Sequence, residues 1–212
     1  MKLFPTLVVD DFLEDPDYVL CLATNAEYND PSHTNYPGVT SKSKIYELDQ
    51  ELFDTILQKI FGYYWDLKNP VNFNVEMEFQ KIESNGQGVI HLDTTFGAIG
   101  AGVIYLNQDI DRDTGTSFYK LLDPDYKIKE EFLDPVARSH AGEHVDGLDK
   151  IHEQHYNMFE ETMRVQNQYN RLVSYASDVW HTATSYGDQT RYTLRFFINE
   201  LESKHQNFPL SR

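Results

Sequence analysis

Between Val71 and Gln80 the chain alternates without a break: Val71, Phe73, Val75, Met77 and Phe79 are apolar, and Asn72, Asn74, Glu76, Glu78 and Gln80 stand between them. A period of two is the mark of an extended strand with one face buried and the other turned to polar surroundings. A helix would scatter those five apolar residues around its circumference. The chain must therefore build a sheet and lay something apolar against one side of it. Shorter strand-like runs support this: residues 7–9, 102–107, 115–119, 171–175 and 191–198, with turn-forming clusters such as residues 84–88 between them.

Two helical stretches precede the alternating run and can supply the apolar cover. Asp15 is placed to cap a helix that starts at Pro16, with Tyr18, Val19, Cys21, Leu22 and Ala23 on it to about Glu27. From Leu48 to Trp65, Leu52, Ile56, Ile60 and Phe61 recur at helical spacing, with Asp49 near the start. Residues 28–43 read as a loop that carries His33. Residues 122–169 are densely charged, show few strand-like runs and read as mainly helical from Gly147 to Tyr169, so they are expected to be an insertion or lid. The expected architecture is mainly β with flanking helices. It forms a single domain over residues 1–212: an N-terminal strand and supporting helices at 1–66, a β core from 71–121 and 171–199, and the insertion at 122–169.

Composition narrows the classes. Forty per cent apolar residues, with 14 Tyr and 13 Phe, describe a packed chain and exclude a disordered one. The single cysteine, Cys21, cannot make an internal disulfide and is expected to be a small buried apolar residue. The first apolar run is broken by Pro5 and ends at Asp10 and Asp11, and no stretch has the apolar length of a membrane span. These features predict a soluble, cytoplasmic protein with no membrane partner. A net charge of −16 argues against nucleic acid as a partner.

The chemistry-bearing residues begin at Val89-Ile90-His91-Leu92-Asp93. In an extended segment residues i and i+2 face the same way, so His91 and Asp93 present an imidazole and a carboxylate side by side. His-x-Asp alone is an ordinary strand or turn pair, and it gains meaning from His181 and from Arg191 ten residues later. Two His and one Asp on one face of a metal leave positions open, which suits a non-haem Fe(II) oxygenase better than a closed structural site.

The order His91-x-Asp93, His181, Arg191-x-Thr193 resembles the Fe(II)- and 2-oxoglutarate-dependent oxygenases. The opening residues 8–13 and the runs 102–107 and 115–118 resemble the prolyl-4-hydroxylase-like branch of that superfamily. The resemblance covers most of residues 5–121 and 171–199 and leaves out the insertion. It implies a double-stranded β-helix (a jelly roll, cupin-like) core packed on the N-terminal helices. It also implies Fe(II) held by His91, Asp93 and His181, and 2-oxoglutarate gripped by Arg191, with Thr193 and Tyr105 as further donors and ascorbate as a supporting reductant. The implied reaction is hydroxylation of a C–H bond with release of succinate and CO2, on a prolyl or other peptidyl substrate. A free amino acid or small metabolite is the alternative substrate.

An arginine fork matches a carboxylate with two parallel hydrogen bonds, which is consistent with the role implied for Arg191. Arg195 lies on the same strand face and competes for it; Arg191 is preferred because it follows His181 at the interval the resemblance implies. Two further readings stay open. One is a cupin-like binding protein without turnover, and the other is a zinc hydrolase centred on His140, His144, His152 and His155 of the insertion. The sequence leaves the oligomeric state open.

Overall fold

The computed structural model describes residues 6–30, 38–64, 68, 70–83, 88–128, 130–141 and 143–202. His33, Trp65 and the turn residues 84–87 lie outside the described residues. Nine strands and five α-helices follow one another among those described: β1 (Leu7–Val9), α1 (Pro16–Asn25), β2 (Val39–Thr40), α2 (Ile45–Leu48), α3 (Gln50–Tyr64), β3 (Asn72–Ile82), β4 (Gly100–Tyr105), β5 (Thr116–Leu121), α4 (Glu130–His140), α5 (Leu148–Tyr156), β6 (Phe159–Val165), β7 (Leu172–Ala176), β8 (Trp180–Ala183) and β9 (Arg191–Glu202). The chain is mainly β with flanking helices.

The helix signals read from the sequence act as capping physics requires. The Asp15 carboxylate accepts the Tyr18 amide at 3.0 Å with Pro16 in the first helical position, and the Asp49 carboxylate accepts the Leu52 amide at 2.9 Å to open α3. On α1, Val19 and Ala23 are buried one turn apart. Cys21, two residues from each, faces outward and is exposed, against the expectation of a buried thiol.

The alternating run becomes β3, the longest strand but one. Val75, Met77 and Phe79 join a core with Phe53, Ile56, Leu57, Ile60 and Phe61 of α3, while Glu78 and Gln80 turn to the opposite face. β3 belongs to a six-stranded sheet of order β1-β7-β4-β9-β3-β2. The same face of β4, β7 and β9 contributes Ile104, Leu172, Leu194, Phe196 and Ile198 to that core, so the helices cover one side of the sheet. Burying a large apolar side chain of this kind contributes about 1.5–3 kcal/mol. On β4, Gly102 lies against the Phe196 ring and the Val173 carbonyl, and a Cβ there would overlap both. On the other face, Ala101, Tyr105, Val173 and Tyr175 meet Phe118 and Val165 from a three-stranded sheet of order β6-β5-β8. Two antiparallel sheets thus enclose a second core, with Phe118 edge-on to Tyr175 at 5.2 Å.

Residues 157–169 depart from the expected helix. The helix ends at Tyr156, and Phe159–Val165 is the outer strand of the smaller sheet, paired antiparallel with β5. Only the end residues Phe159 and Val165 are buried, so the strand has no alternating apolar pattern to announce it. The expected loop at 28–43 contains the two-residue β2 and a bridge from Tyr28 to Ser41. Among the described residues, no helix is long and apolar enough to cross a membrane.

Candidate metal centre

The first candidate ligand is placed by a backbone bridge. The His91 amide donates to the His181 carbonyl at 3.0 Å and the His181 amide donates to the His91 carbonyl at 3.1 Å, so residues 90 positions apart become direct neighbours. This is an isolated bridge, not the continuous strand expected for residues 89–93. The chain is extended only through Leu92, and Asp93 opens a 3-10 turn, Asp93–Phe96, with its amide bonded to the Ser177 carbonyl at 3.0 Å. The i, i+2 relation survives because Leu92 is still extended. The two imidazole centroids are 4.5 Å apart, and the carboxylate of Asp93 lies 3.5 Å from His91 Nε2 and 3.4 Å from His181 Nε2. One possible ligand atom from each of the three side chains falls within 4.8 Å of the other two.

Both imidazoles are turned the same way. His91 Nδ1 meets the Val89 carbonyl at 2.7 Å and His181 Nδ1 meets the Val179 carbonyl at 2.9 Å. A carbonyl only accepts, so Nδ1 carries the proton in each ring and the lone pair of the neutral ring is left on Nε2, toward Asp93. Asp93 Oδ2 is buried without a hydrogen-bond partner. Burial pushes the Asp93 carboxyl up, but the His181 and His91 charges outweigh it and hold it below its ordinary value. Burial, with the charge of His91, pushes His181 down to about 4. Burial also lowers His91, but its bond to Asp93 prevails and its pKa is raised. This is a donor set of two nitrogens and one carboxylate that could hold one divalent metal ion and leave it further coordination positions.

A cavity of about 300 Å³ opens on these residues and runs along the inner face of β9 to Arg191, with Tyr186, Thr116 and Thr182 in its wall. Arg191 is 4% exposed and its Nε has no hydrogen-bond partner; Thr193 is 1% exposed and its hydroxyl has none either. The Arg191 guanidinium carbon lies 5.4 Å from the Tyr105 ring centre, and the Tyr105 hydroxyl shares a 2.7 Å hydrogen bond with Thr116. Arg195 has different surroundings: its Nε bonds Glu78 at 3.1 Å, and Glu78 is also paired with Lys44. Burial pushes Glu78 up, but Arg195 and Lys44 hold its carboxyl below the ordinary value.

Tyr186 and Thr116 were not legible as site residues. Tyr186 sits in the loop before β9, where no periodicity points inward, and Thr116 is one hydroxyl residue among several on β5. Gly88 has a clearer reason: a Cβ there would strike the Thr182 and Tyr186 hydroxyls.

The insertion histidines do not assemble. Among the described residues, His91, Asp93 and His181 are the one group of three or more potential ligands close enough to share a metal. His155 uses both ring nitrogens, Nε2 on the Ile90 carbonyl at 3.0 Å and Nδ1 on the Tyr126 hydroxyl at 2.9 Å, and burial lowers its pKa to about 4. His144 is exposed beside Asp146.

Similar folds occur in solved structures. A Trichoplax adhaerens prolyl hydroxylase, solved with a hypoxia-inducible factor oxygen degradation domain peptide fragment, superposes with a TM-score of 0.54 at 11% identity, over 91% of this chain and 82% of that one. A Pseudomonas putida prolyl-4-hydroxylase gives 0.51 at 14% identity, over 91% of each chain. The HygX protein of Streptomyces hygroscopicus, solved with nickel and 2-oxoglutarate, gives 0.52 at 12% identity, over 91% of this chain and 82% of that one. At such identities the likeness is one of fold. No curated protein matches the chain. The family model that does match, over residues 3–189, places the chain in a family of unknown function, DUF6445, to which this protein belongs.

Proposed function

We propose that this protein is an Fe(II)- and 2-oxoglutarate-dependent oxygenase on a double-stranded β-helix, hydroxylating a C–H bond with release of succinate and CO2. One observation carries the reading: the buried polar atoms without partners include both ends of a single site. Asp93 Oδ2 is left over beside two inward-facing Nε2 atoms, and Arg191 Nε is left over in the wall of the same cavity, with the Thr193 hydroxyl left over two residues along β9. Leaving such groups unpaired costs roughly 1–3 kcal/mol each, so a ligand that pairs them is favoured. The bound metal and 2-oxo acid would supply the oxidising power, by activating dioxygen as the cosubstrate is decarboxylated.

The chain's own residues do the rest. His91, Asp93 and His181 would hold the metal, and the Nδ1–H bonds of the two histidines to the Val89 and Val179 carbonyls keep the ring lone pairs on target. Arg191 pairs with the distant carboxylate of 2-oxoglutarate, assisted by Thr193, while Tyr105 supports Arg191 from behind. The walls of the two-sheet core exclude water from the reacting centre. The solved prolyl hydroxylases of similar fold, one of them with a peptide, make a prolyl or other peptidyl substrate the first to test. A free amino acid or small metabolite is the second, and a nucleic-acid substrate fits poorly with a charge of −16. In this reading residues 122–169 help to select the substrate from outside the cavity wall, since none of the described ones lines it.

The test is anaerobic Fe(II) titration of the wild type and of His91→Ala, Asp93→Ala and His181→Ala, followed by succinate release with ascorbate present. Wild type is expected to bind one iron and form succinate, and each variant to lose both. Unchanged iron affinity in His181→Ala removes that ligand. Tight iron binding with no succinate, with or without candidate substrates, favours a binding protein without turnover.

A further inference from the structure

The segment that leads into His91 is held from outside the site. Residues 88–90 pass beside α5, and their carbonyls turn alternately inward to the site and outward to that helix. The Val89 carbonyl turns inward and takes the His91 Nδ1–H. The carbonyls on either side of it turn to α5: Gly88 accepts the Tyr156 hydroxyl at 3.0 Å, and Ile90 accepts His155 Nε2–H at 3.0 Å. Because Ile90 can only accept, His155 carries its proton on Nε2, and Nδ1 takes the Tyr126 hydroxyl hydrogen at 2.9 Å. The ring is fixed in plane as well, stacked on Phe132 at 4.3 Å and 30°. The Val89 side chain packs with Phe132 and Val136 of α4 in a small core of its own.

We propose that His155 and Tyr156 are positioning residues for the metal centre. By gripping the Ile90 and Gly88 carbonyls they lock the peptide that orients His91, so that the α4–α5 pair sets metal affinity without supplying a ligand. The inference rests on the metal-centre reading above and extends it to a part of the chain that reading uses only for substrate selection. A side chain that acts through the backbone next to a ligand resembles the outer partners of metal-bound histidines, whose loss typically weakens metal binding by about 10–100-fold.

Co(II) is the probe, because it reports occupancy by its visible absorption as well as by affinity. The full-length apoprotein is titrated as wild type, His155→Phe, His155→Gln and Tyr156→Phe, with Ile60→Val in α3 as a control that lowers stability far from the site. Phenylalanine keeps the stack on Phe132 and removes both hydrogen bonds; glutamine restores a donor near the Nε2 position. His155→Phe is expected to weaken Co(II) roughly tenfold or more and to change its spectrum, with Gln recovering most of the loss. Tyr156→Phe is expected to show a smaller loss and Ile60→Val none. Wild-type affinity and spectrum in His155→Phe overturn the proposal, and so does a loss in the Gln variant as large as in Phe, which assigns the effect to packing.

Hydrogen exchange of the His91 and His181 amides in the metal-free protein gives a second readout. These amides form the bridge, and in His155→Phe and Tyr156→Phe they are expected to exchange faster relative to β3. If wild type takes up no Co(II), the metal-centre reading fails, and exchange alone then judges the clamp: unchanged protection in both variants overturns it. Tyr156→Phe, which loses only a hydroxyl, keeps the test available if His155→Phe does not fold.

Discussion

Arg191 and Arg195 lie four residues apart on the same face of β9 and meet different surroundings. Arg195 is paired with Glu78, whereas Arg191 Nε is buried with nothing to bond. Losing a buried charge-assisted contact to a ligand costs about 2–5 kcal/mol, so Arg191→Ala is expected to weaken 2-oxoglutarate by at least tenfold while iron binding survives. Arg195→Ala is expected to leave cosubstrate affinity close to wild type and to lower stability instead. Calorimetric titration of the two variants, beside their thermal midpoints, checks this, and the opposite pattern moves the anchor to Arg195. His91 with Asp93 is legible in the sequence because two residues along an extended chain always share a face. Which arginine is committed elsewhere is not, since Glu78 is 117 positions from Arg195 and the pairing exists only once β3 and β9 are side by side.

At the scale of elements, β3 and β9 hold the Glu78–Arg195 pair at matched positions across the sheet. The folded Glu78 carboxyl lies below its ordinary 4.5, so its contribution is fully present above that value and is lost as pH falls through the folded one. Glu78→Gln is expected to cost about 3 kcal/mol at neutral pH. The gap between the two thermal melting curves should close as the solution is acidified below 4.5. A constant gap across that range would mean that the pair contributes through shape and not through charge. The elements with one buried face are legible, β3 above all, because burial on one side imposes a period that survives in the sequence. β6 is not, because its middle five residues are exposed and its strand state comes entirely from pairing with β5. The 3-10 turn at Asp93 is hidden for a related reason: the amide bonds of Asp93 and Thr94 to Ser177 that hold it come from a distant part of the chain.

For the whole molecule, a charge of −16 in one compact chain opposes folding by self-repulsion. Moderate salt screens charges more than about 8–10 Å apart while leaving buried pairs such as Glu78–Arg195 largely intact. The thermal midpoint is therefore expected to rise with added sodium chloride by about 2–4 °C, the shift that roughly 1 kcal/mol makes in a chain of this length. A fall with salt would show that exposed pairs such as Lys42–Glu27 outweigh the net charge. The sheet order β1-β7-β4-β9-β3-β2 has a further consequence for a chain still being made. β3 leaves the ribosome long before β9, its long neighbour, and the residues between Ile82 and Arg191 take on the order of ten seconds to synthesise. Throughout that interval Val75, Met77 and Phe79 can be covered by α3, but one backbone edge of β3 has no strand to bond. A nascent chain halted there should be held by chaperones at β3, and Glu76, Glu78 and Lys81 along it are the charges that keep two such chains from zipping together.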